Sequence, residues 1–252
     1  MTPLRLLGSL VAALVVAVLA GNLGTATAGR SACTQGAGGS GYAYAGHQAA
    51  SRAHGVRATI SPVRALHVDA GHVAGWVGVG GPGQGPNGED AWIQAGIASV
   101  EGSSPYLYAE ITRAGRDPQF ILLDDSVQVG ERRNVAVSEL SGRPGWWRVS
   151  VDGEPVTKPV LLRGSSGRWA PIATAESWNG GEAACNTFAY RFERVSVSGE
   201  GGSWRQFVPG HRFLDKGHRL RALATAAAGG ASGARRLSSG APLPYAFLAS
   251  SG

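Results

Sequence analysis

The chain has 252 residues, 43% hydrophobic and 16% charged, with 39 Gly, 13 Pro, two Cys and a formal net charge of +6. That balance belongs to an ordinary globular protein and excludes a disordered or collagen-like chain. Beyond the first 25 positions no apolar run reaches 18 residues, which excludes a polytopic helical membrane protein.

Arg5, the apolar stretch Leu6 to Ala20 and the small-residue site Ala26-Thr27-Ala28 predict a secretory signal peptide over residues 1–28, removed before Gly29. The mature protein is expected to be secreted, extracellular and free of the membrane. A Gly/Ser-rich lead over 29–40 follows. Both cysteines, Cys33 and Cys185, lie in the exported part, where oxidation is permitted, and they are expected to form a disulfide. Closing a loop of about 150 residues contributes on the order of 4 to 5 kcal/mol in the chain-entropy picture.

From Gly41 the chain breaks into short alternating segments separated by Gly, Pro, Asn and Asp, which predicts an all-β domain over 41–223. The predicted strands are Val56 to Ile60, Val73 to Val79, Ala91 to Ile97, Tyr106 to Ile111, Ser126 to Val129, Val135 to Ser138, Trp147 to Val151, Val160 to Leu162, Ile172 to Trp178, Phe188 to Val197 and Phe207 to Phe213. From Ala224 the composition turns to Ala, Gly, Ser and Arg, and 224–252 reads as a disordered tail.

Successive strand side chains point to opposite faces. In the strand from Ala91, one face carries Ala91, Ile93, Ala95 and Ile97, and the other carries Trp92, Gln94 and Gly96. The strand from Tyr106 sets Leu107, Ala109 and Ile111 against Tyr106, Tyr108 and Glu110, and the strand from Val73 sets Val77 and Val79 against Trp76. Ile172 to Trp178 adds Thr174, Glu176 and Trp178 on one side. An aliphatic face suits a core. A face of aromatics with Gln94, Glu110 and Glu176 suits either a substrate groove or an ordinary exposed sheet surface.

Other chemistries find little support. Gly78-Val79-Gly80-Gly81-Pro82-Gly83 fits a dinucleotide fingerprint, but prolines interrupt it and a strand follows instead of a helix. The six histidines show no H-E-x-x-H spacing, so no metal or other cofactor is expected. No G-x-S-x-G elbow occurs. The acidic pairs Glu89-Asp90 and Asp124-Asp125 sit in turn-like surroundings, and a glycosidase lacks its compact E-x-D-x-E strand. Residues 29–200 carry 15 basic and 16 acidic side chains, whereas 201–252 carry seven basic against Asp215 alone. Those arginines are scattered, so no nucleic-acid partner is expected.

Four segments, Trp76-Val77-Gly78-Val79-Gly80-Gly81, Ile93-Gln94-Ala95-Gly96, Tyr106-Leu107-Tyr108-Ala109-Glu110 and Ala173-Thr174-Ala175-Glu176, resemble in order and spacing the eqolisin family of glutamic peptidases. The family pattern is W-V-G-I-D-G, L-Q-x-G, an aromatic strand with Y-E, and A-E-x-I-x-E. The chain departs from it at Gly80, Ala109 and Ala173, where the family has Asp, an aromatic residue and Glu. The resemblance runs from about Gly41 to about Leu223. It implies a concanavalin A-like two-sheet antiparallel β-sandwich with a concave groove, acting on protein or peptide substrate, and a monomer is the expected state. Position by position it also implies Gln94 and Glu176 as the catalytic pair, with Trp76 and Glu110 as supporting or groove residues; Trp92, Tyr106, Tyr108 and Trp178, which carry the aromatic faces of their strands, are then expected to contact an extended peptide substrate. The alternative reading is a noncatalytic β-sandwich that binds peptide, glycan or cell-wall polymer.

Overall fold

The computed structural model describes residues 41–180, 185–223 and 245–251. Within them lie sixteen strands: β1 (Tyr42–Ala49), β2 (Gly55–Pro62), β3 (His72–Gly81), β4 (Ala91–Val100), β5 (Tyr106–Thr112), β6 (Gln119–Asp124), β7 (Arg133–Glu139), β8 (Trp146–Val151), β9 (Glu154–Pro155), β10 (Val160–Leu161), β11 (Ile172–Trp178), β12 (Ala189–Ser198), β13 (Trp204–Gln206), β14 (Pro209–Leu214), β15 (His218–Ala222) and β16 (Tyr245–Ser251). Only a single 3-10 turn at Pro86–Gly88 interrupts this all-β content among the described residues. One sheet runs β14-β1-β11-β3-β4-β5-β6, and the other runs β10-β8-β7-β2-β12-β16-β15, with β9 and β13 appended to β8 and β12. The pairings are antiparallel throughout. The expected two-sheet antiparallel sandwich is the fold observed.

The alternation read from the sequence decides which sides meet. Ile93, Ala95 and Ile97 of β4, Leu107, Ala109 and Ile111 of β5, and Val73, Val77 and Val79 of β3 enter one core. They meet Val56, Ala58 and Ile60 of β2, Val135 and Val137 of β7, and Tyr190 and Phe192 of β12 from the second sheet. Burying each Val, Leu or Ile side chain there contributes roughly 1.5 to 3 kcal/mol relative to leaving it exposed. Short turns hold the register: Asp152 and Gly153 between β8 and β9 take φ of 52° and 94°, the left-handed pair an Asp-Gly two-residue hairpin requires.

Two expectations change. Residues 245–251 are not a disordered tail: β16 lies between β12 and β15, and the Phe247 ring stacks on Phe192 with centroids 4.5 Å apart. The alternation of Tyr245, Phe247 and Ala249 toward the core is hidden by small residues in the compositional signal. Ser126 to Val129 is a loop, in which Val127 is buried and its N–H donates to Pro105 O at 2.7 Å. The strand in that region is instead β6, whose apolar run Phe120 to Leu123 lacks alternation. The signal peptide, the 29–40 lead, Cys33 with its expected bond to Cys185, and residues 224–244 lie outside the described residues.

Candidate active site

The outward face of the first sheet carries rows of paired side chains crossing the strands. One row runs Gln48, Ile172, Gly78, Gln94, Glu110 and Phe120 through β1, β11, β3, β4, β5 and β6. The next runs Gly46, Thr174, Trp76, Gly96, Tyr108 and Leu122, and a third runs Tyr44, Glu176, Ala74, Ala98 and Tyr106. A groove of about 570 Å³ crosses these strands, lined among others by Tyr44, Trp76, Gln94, Glu110, Thr174 and Glu176. Glycine occupies two of the central positions of these rows, where no side chain rises from the sheet and the neighbouring strands approach closely. A Cβ on Gly78 would sit 2.7 Å from Gln94 Cβ, and one on Gly96 would sit 2.6 Å from Trp76 Cα.

Gln94 and Glu176 open into this one groove from β4 and β11, the two neighbours of β3, opposite Gly78 and Ala74 respectively. Glu176 is 6% exposed, and its Oε1 lies 3.2 Å from His72 Nε2. The His72 ring in turn contacts Tyr42 and Trp178, with centroids 6.0 and 5.6 Å away. The Gln94 side-chain amide donates to the Tyr108 hydroxyl at 3.4 Å. That is a long bond, which leaves the amide available to a better acceptor. Trp92 Nε1 donates to Glu110 Oε1 at 2.8 Å.

The groove is a poor solvent for charge. Burial pushes the Glu110 carboxyl above its ordinary value, with the Trp92 hydrogen bond opposing and the Glu176 charge adding to the rise. Burial also pushes the Tyr42 hydroxyl up to about 12, and Glu176 and Glu110 reinforce the shift. Tyr44 and Tyr108 move upward for the same reasons. These phenols therefore stay neutral hydrogen-bonding groups at any working pH.

Of the residues singled out by sequence, Gln94, Glu176, Trp76, Trp92 and Glu110 line the groove. Tyr106, Tyr108 and Trp178 share the face without lining it: Tyr108 is 3% exposed, beneath the stacked Phe120 ring, and Trp178 stacks on Tyr42 at the end of β11. The sequence reading missed Tyr42, Tyr44, Gln48, His72 and Phe213. His72 was accessible to it, because positions 72, 74 and 76 share one strand face. Tyr42 and Tyr44 have the same spacing of two, inside a segment rich in Gly and Ala that breaks the strand signal. Among the described residues no group of three or more His, Cys, Asp or Glu converges as a metal centre requires.

The sequence matches no protein-family model and no curated protein. The structure is similar to that of scytalido-glutamic peptidase bound to a peptide-based transition-state analogue, at 15% identity and a TM-score of 0.48, covering 83% of this chain and 97% of that one. It is similar to SCP-B, a member of the eqolisin family of peptidases in complex with the tripeptide Ala-Ile-His, at 13% identity and a TM-score of 0.46 over the same shares. A Bacillus licheniformis β-glucanase aligns at 14% identity and a TM-score of 0.33, over 51% of this chain and 54% of that one.

Proposed function

We propose that this chain is an exported peptide hydrolase that cleaves amide bonds with a Glu/Gln pair and an activated water. The observation that carries this reading is the opening of Gln94 and Glu176 into a single groove from the two strands that flank β3. The four sequence segments that resemble the glutamic peptidases contribute these same two residues.

Amide hydrolysis needs a base for water, a donor for the oxyanion and an acid for the leaving amine. In this reading the Glu176 carboxylate takes a proton from water as its oxygen attacks the carbonyl carbon. The Gln94 NH₂ donates to the oxyanion of the tetrahedral intermediate. Glu176 then passes its proton to the amine nitrogen as the C–N bond breaks, which returns the carboxylate. His72 holds Glu176 from one side, and Trp76 forms the wall between the two groups in the row that separates theirs. Export rests on the leader sequence at residues 1–28.

The test is cleavage of an unfolded protein substrate by the full-length-derived mature chain from acid to neutral pH, beside Glu176→Gln and Gln94→Ala. Glu176→Gln abolishes turnover, and Gln94→Ala lowers kcat by about 10²- to 10³-fold, the usual cost of one oxyanion donor. Both variants retain the wild-type circular dichroism. No cleavage by the folded wild type at any pH would replace this reading with the noncatalytic binding module, which the aromatic lining of the groove also suits.

A further inference from the structure

Just beyond the groove, on the edge strand β6, Phe120 and Leu122 are 50% and 54% exposed. They occupy alternate positions on one strand face, and their register partners are Glu110 and Tyr108. Phe120 stacks on Tyr108 with centroids 5.6 Å apart and planes 10° from parallel, and Tyr106 meets it edge-on at 5.9 Å. Side by side on one strand face next to the groove, the two form a contiguous apolar ledge that a ligand lying in the groove can cover.

The groove crosses the strands, with lining residues from β14 at Phe213 to β5 at Glu110, and β6 is the next strand in that direction. An extended peptide lying along it therefore passes from Gln94 over Glu110 to Phe120, which share one row. Two strand spacings amount to about 10 Å, and an extended peptide rises about 3.3 Å per residue. We infer that Phe120 and Leu122, backed by Tyr106, form a specificity subsite that takes one apolar side chain of the substrate, two or three residues from the scissile bond. This rests on the peptidase reading of the groove. The occupant is apolar because the exposed tops of Phe120 and Leu122 offer ring and methyl surface without a charge.

The experiment uses pairs of oligopeptides, one pair for each position within four residues of the cleavage site, the members of a pair identical except for Leu or Gly at that position, with wild type, the Phe120→Ser/Leu122→Ser double variant and Phe120→Leu. Wild type selects Leu over Gly by about tenfold in kcat/KM at one position, two or three residues away. In the double variant the ratio of kcat/KM for the Leu over the Gly peptide falls to about one, whatever its overall rate, and Phe120→Leu keeps the selection. Selection retained by the double variant overturns the subsite. If wild type cleaves none of the peptides, the catalytic reading fails and the subsite is judged by binding of the same peptides, followed by tryptophan fluorescence. Tighter binding of the Leu peptide, lost in the double variant, sustains it; equal binding overturns it. Sedimentation that shows a wild-type dimer and a monomeric double variant also overturns it, since a second copy would then cover β6.

Discussion

Glu110 shows how one residue's surroundings set its chemistry. Burial favours its neutral form, and the Glu176 charge acts in the same direction, while the Trp92 N–H favours the carboxylate. Because the folded-state value lies above the unfolded one, the native chain still holds a proton that the unfolded chain has released. Stability therefore falls as pH rises through that window, and the loss is complete above it. Glu110→Gln removes the ionisation and keeps an oxygen for Trp92 to donate to. The expected result is a Tm above that of wild type at pH 7, with no difference well below the ordinary carboxylate range. Thermal unfolding of both proteins across pH checks it, and an offset equal at every pH contradicts it.

At the scale of elements, glycine on β3 links the fold to the site. Gly78 faces the groove beside Gln94, and Gly75 faces the core, where an added Cβ would sit 2.6 Å from the Tyr190 ring. The two positions separate packing from function. Gly75→Ala forces the buried ring to shift and is expected to lower unfolding stability by about 1 to 3 kcal/mol, measured in urea. Gly78→Ala displaces the Gln94 side chain, and peptide cleavage is expected to fall further than stability does. These elements were also where the sequence could be read. In β3, β4, β5 and β11 one face is aliphatic and the other aromatic or polar, so period-2 alternation fixed both the strands and the side that holds Gln94, Glu110 and Glu176. β6 escaped because Phe120 to Leu123 is apolar on both faces, its outer face being the exposed ledge. β1 escaped because Ala and Gly fill its core-facing and closely packed positions, leaving Tyr42 and Tyr44 without an alternating partner set. The contact between His72 and Glu176 joins residues 104 positions apart, and only the pairing of β3 with β11 brings them together.

For the whole molecule, the last strand carries the greatest weight. β16 supplies a pairing partner of β12 and the sheet partner of β15, so without it β15 is cut off from the second sheet and β12 keeps only the short β13 on that flank. Its Phe247 is fully buried, stacked on Phe192 and edge-on to His47 from the opposite sheet at 5.5 Å. Truncating one such aromatic side chain costs about 3 to 5 kcal/mol, against a total stability of roughly 5 to 15 kcal/mol for a natural domain. Phe247→Ala should therefore leave a folded protein with a clearly lower urea midpoint. A chain stopped after residue 244 loses that ring, the buried Ala246 and Ala249, and the hydrogen bonds of two strand pairings together. Its expected behaviour is loss of the cooperative transition, seen as a sloping urea curve and exposed tryptophan fluorescence. A cooperative transition retained by the truncated chain would mean that the sandwich closes without β16, and that the groove sheet holds its shape without the strand behind it.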